Sequence, residues 1–181
     1  MTEERTRGFE VVSSYQDQDI RLPRRSTHYA AGYDLEAAED MILPSYWKQV
    51  LGHLLQEAKQ GFQLDTAKTD DSDLLKSSLV PTGLKAYMRE DEYLQIVNRS
   101  SNPLKRFLAL PNGIGIIDQD YYNNSKNEGH IYVQLINYGL RDYKIKKGDR
   151  IAQGIFSPYL LTDDDTGGVS QRQGGFGSSG D

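Results

Sequence analysis

At 181 residues the chain is sized for one domain with a proper core. A net charge of -5 argues against a nucleic-acid groove or an anionic membrane partner, but not against a polyphosphate ligand, for which a few Arg side chains and backbone amides suffice. The absence of cysteine excludes disulfides and thiolate zinc sites; with no apolar leader and no run of membrane-spanning length, a cytoplasmic protein with no DNA, RNA or membrane partner is expected.

Twelve Tyr, seventeen Gly and many short apolar runs predict mostly β structure. Phe9 to Val12 reads as a first strand, and Met41 to Leu43 as another. Past Pro44 the period changes. Ser45 reads as an N-cap, and Trp47, Val50, Leu51, Leu54, Leu55 and Ala58 recur at helical spacing up to Gly61, a plausible C′ residue. An acidic stretch with Asp65, Asp70, Asp71 and Asp73 follows before the strand Leu79 to Lys85. Residues 45–78 thus read as a helical insertion between two strands. Its apolar stripe is expected to pack on the rest of the domain; the sharper alternative is an appendage that binds a partner protein.

Leu84 to Met88 and Tyr93 to Val97 read as a strand pair across the polar turn Arg89 to Glu92. Ile131 to Ile136 is apolar-leaning on both faces, as in a strand covered on two sides. Lys146 to Asp149 is a turn feeding the strand Arg150 to Phe156. Short strands at near-regular spacing predict a sandwich or barrel. His28, His53 and His130 are scattered without metal-ligand spacing, and His53 reads as a solvated residue on the polar side of the helix.

Five segments carry the candidate chemistry. In Asn112 to Tyr121 an apolar run leads into Asp118, Asp120 and Tyr121. A carboxylate at a rigid strand end is well placed as a general base, although an Asp-rich turn is the ordinary reading of such a run. The others are Ala31 to Leu35, Arg99 to Ser101, Gly148 to Gln153, and the Gly- and Ser-rich stretch Gly167 to Asp181. That last stretch reads either as a disordered tail or as a flap whose Phe176 stacks on a base while Arg172 and Ser residues hold phosphate.

Taken in order, these segments resemble the five motifs of the trimeric dUTP pyrophosphatase (dUTPase) family, of the phage or Gram-positive type with an insertion after the first motif. The resemblance implies an all-β, jelly-roll-type barrel with one inserted helix, assembled as a homotrimer whose sites draw on all three subunits. It implies a barrel domain over residues 1–166 and a C-terminal flap over 167–181. The implied reaction is magnesium-assisted hydrolysis of dUTP to dUMP and pyrophosphate, with Mg2+ carried by phosphates and waters.

Asp118 matches the general base, and Asp34 the acid that holds the metal through water. Arg99, Ser100 and Ser101 match phosphate-binding residues, and Gln153 a ligand of the α-phosphate. Tyr121 matches the ring that packs on deoxyribose and excludes a 2′-hydroxyl. Asn112 would sit against uracil, with hairpin backbone around Ile117 and Tyr132. Arg172, Phe176, Gly177, Ser178 and Ser179 match the flap. Two departures are visible: Arg172 precedes Phe176 by four positions where many members have five, and Tyr122 to Glu128 lengthens a turn that is usually short.

Two other readings stay open. A related dCTP deaminase or bifunctional enzyme would need an added acid/base residue, typically Glu, and Asn112 to Tyr121 holds none. An interaction protein would use the 45–78 insertion to hold a partner such as a transcriptional repressor.

Overall fold

The computed structural model describes residues 5–59 and 77–167. Among the described residues the chain forms twelve strands and one α-helix. The first strands are β1 (Gly8–Val11), β2 (Arg24–Arg25), β3 (Tyr33–Glu36) and β4 (Met41–Leu43), followed by α1 (Tyr46–Lys59). Next come β5 (Ser78–Pro81), β6 (Leu84–Tyr87), β7 (Glu92–Val97), β8 (Leu108–Ala109) and β9 (Ile114–Asp118). The last are β10 (Tyr132–Asn137), β11 (Tyr143–Ile145) and β12 (Arg150–Pro158).

The largest sheet has the order β2-β3-β12-β7-β9. Smaller sheets pair β1 with β6, β11 with β4, and β10 with β5 and β8. These strands all pair antiparallel. The sheets close on one core that buries Leu35, Val80, Leu84, Leu94, Leu135, Ile145 and Ile151. This is the expected all-β, jelly-roll-type barrel with one inserted helix.

Alternation explains how the sheets close. β10 buries Val133, Leu135 and Asn137 while Tyr132, Gln134 and Ile136 are half-buried on its other face. Neither face is freely solvated, which is what the apolar run in sequence implied.

Three expectations are corrected. The segments read as a hairpin, β6 and β7, are both strands, but they do not pair with each other. β6 pairs with β1, and β7 lies between β12 and β9. The connection over residues 88–91 turns the chain from one sheet into another, and the buried side chains of β6 and β7 enter a common core from different sheets.

The helix is capped as expected: the Lys48 amide donates to Ser45 Oγ at 3.3 Å, and the buried Ser45 hydroxyl donates to the Gly139 carbonyl at 2.6 Å. Its stripe, however, does not pack on the barrel. Trp47 (50%), Leu51 (57%), Leu54 (52%) and Leu55 (54%) are about half exposed. The first turn is tied down by Trp47 Nε1 to the Tyr138 carbonyl at 3.1 Å and by Lys48 to Asp142 at 2.7 Å. His53 is half-buried and engaged rather than simply solvated. Gly61, the acidic stretch and the proposed flap lie outside the described residues.

Candidate active site

The five-stranded sheet collects four of the five sequence segments. β3 carries Asp34, β12 carries Gln153, the chain leaving β7 carries Arg99, and β9 ends on Asp118. In register, Asp34 faces Gln153 on β12, and Gln153 faces Val97 on β7.

Asp34 is buried, and four donors converge on its carboxylate. Ser26 Oγ lies at 2.5 Å and Gln153 Nε2 at 3.2 Å; Arg99 Nε and Arg150 Nη1 are at 3.0 and 3.2 Å. Burial opposes ionisation, but the hydrogen bonds from Ser26 and Gln153, the Arg99 charge and the Arg150 bond outweigh it and hold the Asp34 pKa below its ordinary value. Gly32 packs tightly against this cluster. A Cβ at that position would sit 3.1 Å from the Gln153 side chain that reaches Asp34.

The Arg99 to Ser101 segment is clamped by a residue that sequence reasoning missed. The backbone amide of buried Asn102 donates to the Arg99 carbonyl at 2.9 Å, and its side chain donates to the Ile151 carbonyl at 2.7 Å. The signal was the Asn102-Pro103 pair, readable only as a turn. Ser100 is exposed and Ser101 half-buried. Beside Asp34 opens a pocket of about 410 Å³ with Arg21, Arg24, Arg25 and Arg150 on its walls. Arg21 pairs with Glu36 at 3.0 Å, and Arg25 donates to the His28 carbonyl at 2.8 Å.

A second pocket, of about 260 Å³, holds the other half of the predicted residues. Asn112, Ile117, Tyr121 and Tyr132 line it together with Ile96, Gly115, His130 and Gln134. Tyr121 is buried, and its hydroxyl donates to the His130 carbonyl at 3.0 Å. Asp118 is half-buried at the end of β9, where the chain turns into the short 3-10 helix Gln119–Tyr121.

Asp118 is not brought to the Asp34 cluster within one chain. Asp118 is level with Tyr93, whereas Asp34 and Gln153 are level with Val97. Four residues of strand amount to roughly 13 Å, and β9 lies three strands from β3, each step about 4.8 Å. The phosphate-binding candidates and the candidate base thus occupy opposite regions of the sheet.

His130 is the second residue sequence reasoning missed. Nothing in its spacing marks it. It is buried between Tyr15 and Tyr132, with ring centroids 5.2 and 4.2 Å away, and its Nε2 accepts the Gly83 amide at 3.0 Å. Burial lowers its pKa from 6.5 to about 4, against the opposing pull of Glu39 and Glu128. Arg172, Phe176, Gly177, Ser178 and Ser179 lie outside the described residues.

Among the described residues no group of three His, Cys, Asp or Glu could cage a metal, and none of their helices is long and apolar enough to cross a membrane. The Asp34 carboxylate, with Glu36 tied up by Arg21 on the wall of the same Arg-lined pocket, fits a hard cation delivered with phosphates and waters.

A model of the dUTPase family matches residues 56–180. A deoxyuridine 5'-triphosphate nucleotidohydrolase of Lactococcus lactis is 42% identical over 175 residues, covering 96% of this chain and 97% of that protein. The crystal structure of a dUTPase from Streptococcus mutans aligns with a TM-score of 0.67 at 39% identity, over 86% of this chain and 98% of that one. A point mutant of the dUTPase from phage phi11 of S. aureus, described with a coordinated structural Mg(II) ion, shares the fold with a TM-score of 0.60 at 16% identity, over 90% and 96% of the two chains.

The depressed His130 pKa sets a stability trend. Between pH 6.5 and about 4 the unfolded chain takes up a proton that the native His130 refuses, so its contribution is complete above 6.5 and shrinks as pH falls toward 4. Tm measured from pH 7 to 4 should fall, and His130→Gln should flatten the slope in that window. An unchanged slope would mean that His130 does not set it.

Proposed function

Because the chain belongs to the dUTPase family, we infer that its two half-sites meet between copies of the chain, around one dUTP, and hydrolyse it to dUMP and pyrophosphate. The observation that carries this is the distance across the sheet between Asp118 and the Asp34–Arg99–Gln153 cluster. One substrate can touch both only if a second chain supplies one of them. The edge strand β9 supports assembly, since Ile114 (49%) and Ile116 (50%) are half exposed on it. A homotrimer in the cytoplasm is the reading that fits.

The chemistry follows from the residues. Asp118 removes a proton from a water that attacks the α-phosphorus, and the bond from that phosphorus to the bridging oxygen breaks as pyrophosphate departs. Arg99, Ser100 and Ser101 hold the phosphate chain, and Gln153 donates to an α-phosphate oxygen. Asn112 and the backbone at Ile117 and Tyr132 read uracil, while the Tyr121 ring packs on deoxyribose. From the C-terminal stretch, which with Gly177 matches the fifth motif, Arg172, Ser178 and Ser179 would hold the γ-phosphate and Phe176 would cover the base. Asp34 would hold Mg2+ through water, and the ion, when bound, would neutralise charge on the phosphates. The donors already on Asp34 keep it ionised for that role.

A second reading rests on α1. Its half-exposed Trp47, Leu51, Leu54 and Leu55 form an apolar stripe suited to a protein partner, such as a transcriptional repressor, alongside catalysis.

Pyrophosphate release should be fast for dUTP, slow for dTTP, dCTP and UTP, and lost with a chelator; equal release from dCTP or UTP would overturn the assigned specificity. Asp118→Asn should cut kcat by about 10²-fold or more while dUTP binding, followed by calorimetry, stays near wild type. Equal loss of binding and turnover would remove Asp118 from the role of base. Leu51→Lys, Leu54→Lys and Leu55→Lys together should abolish repressor capture and spare hydrolysis; loss of hydrolysis as well would assign the helix to packing within the assembly.

A further inference from the structure

The turn after Tyr121 is long, and its side chains are aimed back at Tyr121. The Asn127 side-chain amide donates to the Tyr121 hydroxyl at 2.7 Å, while that hydroxyl donates to the His130 carbonyl at 3.0 Å. The Asn124 side-chain amide donates to the Tyr121 carbonyl at 2.8 Å and to Asn127 Oδ1 at 2.8 Å. Asn127 Oδ1 also accepts the Gly129 amide at 3.1 Å, and Asn124 Oδ1 accepts the backbone amides of Lys126 and Asn127 at 3.0 and 3.2 Å. Tyr121 is therefore gripped at its backbone and at its far tip by the same loop.

The loop is itself anchored. Lys85 Nζ reaches Asn123 Oδ1 at 2.6 Å and Glu128 at 3.3 Å, and Glu128 accepts the Ser13 amide at 3.2 Å. Gly129 closes it at φ +81, where a Cβ would lie 2.5 Å from the Tyr121 carbonyl oxygen. Such a set of bonds is more than a surface turn needs. A ring that must exclude one hydroxyl has to hold its position to within about 0.5 Å, and a Tyr fixed only through its own backbone can tilt about χ1 and χ2.

We propose that Asn127, backed by Asn124, is a positioning residue that fixes the Tyr121 ring and so sets the discrimination between deoxyribose and ribose triphosphates. This rests on the reading that Tyr121 packs against the sugar. Asn127 touches no substrate; it acts through the Tyr121 hydroxyl. The lengthened turn is then a specificity device rather than a neutral insertion.

The test is a double-mutant cycle on the full-length assembled protein, with kcat and KM for dUTP and UTP measured on Asn127→Ala, Tyr121→Phe and the double variant, and Tm alongside. Either single change should lower the dUTP-to-UTP ratio of kcat/KM by about fivefold, mainly through KM. The double variant should fall no further than Tyr121→Phe alone, since Asn127 reaches the ring only through the hydroxyl that Tyr121→Phe removes. A ratio unchanged in Asn127→Ala, or losses that multiply in the double variant, would overturn the proposal even if Tm drops. Where Asn127→Ala fails to assemble, Asn127→Asp decides, because it keeps the oxygen that accepts the Asn124 and Gly129 amides and removes only the donor to the Tyr121 hydroxyl: the same fall is expected, and an unchanged ratio overturns the proposal. Tyr121→Ala separates the two levels. A ratio lost there but kept in Asn127→Ala sinks only the brace, whereas a ratio kept in Tyr121→Ala sinks the sugar-packing role itself.

Discussion

The backbone ladder of β7 is the constraint on which the rest depends. It is hydrogen-bonded on both sides, to β12 and to β9, so its register cannot slip by one residue without moving Leu94 and Ile96 from the core to the opposite face. That register fixes which residues share a row. Gln153 is held level with Val97, Asp34 is level with Gln153, and Asp118 is held at the far end beside Tyr93. Side chains placed by a doubly paired central strand are more precise than side chains placed by loops, and each half-site borrows that precision.

Electrostatics then divide the labour. The Asp34 region concentrates cations: Arg99 and Arg150 are on the carboxylate, and Arg21, Arg24 and Arg25 stand around the neighbouring pocket. This local excess sits within a chain of net charge -5, so attraction for a polyphosphate is focused there rather than spread over the surface. The other pocket is lined by Ile96, Leu110, Ile117, Tyr121 and Tyr132, with few charged groups. A nucleotide has the same polarity, a flat apolar base at one end and a charged chain at the other. The protein mirrors that division across its sheet.

How much of this was legible in the sequence depends on whether the signal was local. The helix was legible because Ser45 and the 3.6-residue stripe are neighbours in sequence, and β10 because its alternation lies within six residues. Asp118 at a strand end was legible because the apolar run leads straight into it. The β6–β7 hairpin was misread because a short polar turn suits both a hairpin and a corner between sheets, and only the tertiary partners β1, β9 and β12 decide. The exposure of the α1 stripe was hidden for a similar reason: amphipathicity shows that a face wants cover, not what covers it. His130 left no trace, and Asn102 only a turn signal, because each acts through long-range contacts, to Gly83 and Ile151 respectively. The four donors on Asp34 come from widely separated segments, and no window of sequence contains them.

The separation of Asp118 from the Asp34 cluster has a genetic consequence. In the assembly inferred above, a chain lacking its carboxylate at 118 still offers intact phosphate grips, and a chain damaged at Asp34 still offers an intact base. Two inactive alleles expressed together can therefore rebuild a working site at the junction where their sound halves meet. Two lesions in the same half cannot. The fold thus makes the locus a case for interallelic complementation, and the pattern of which alleles rescue which would draw the map of the half-sites without any structure at all.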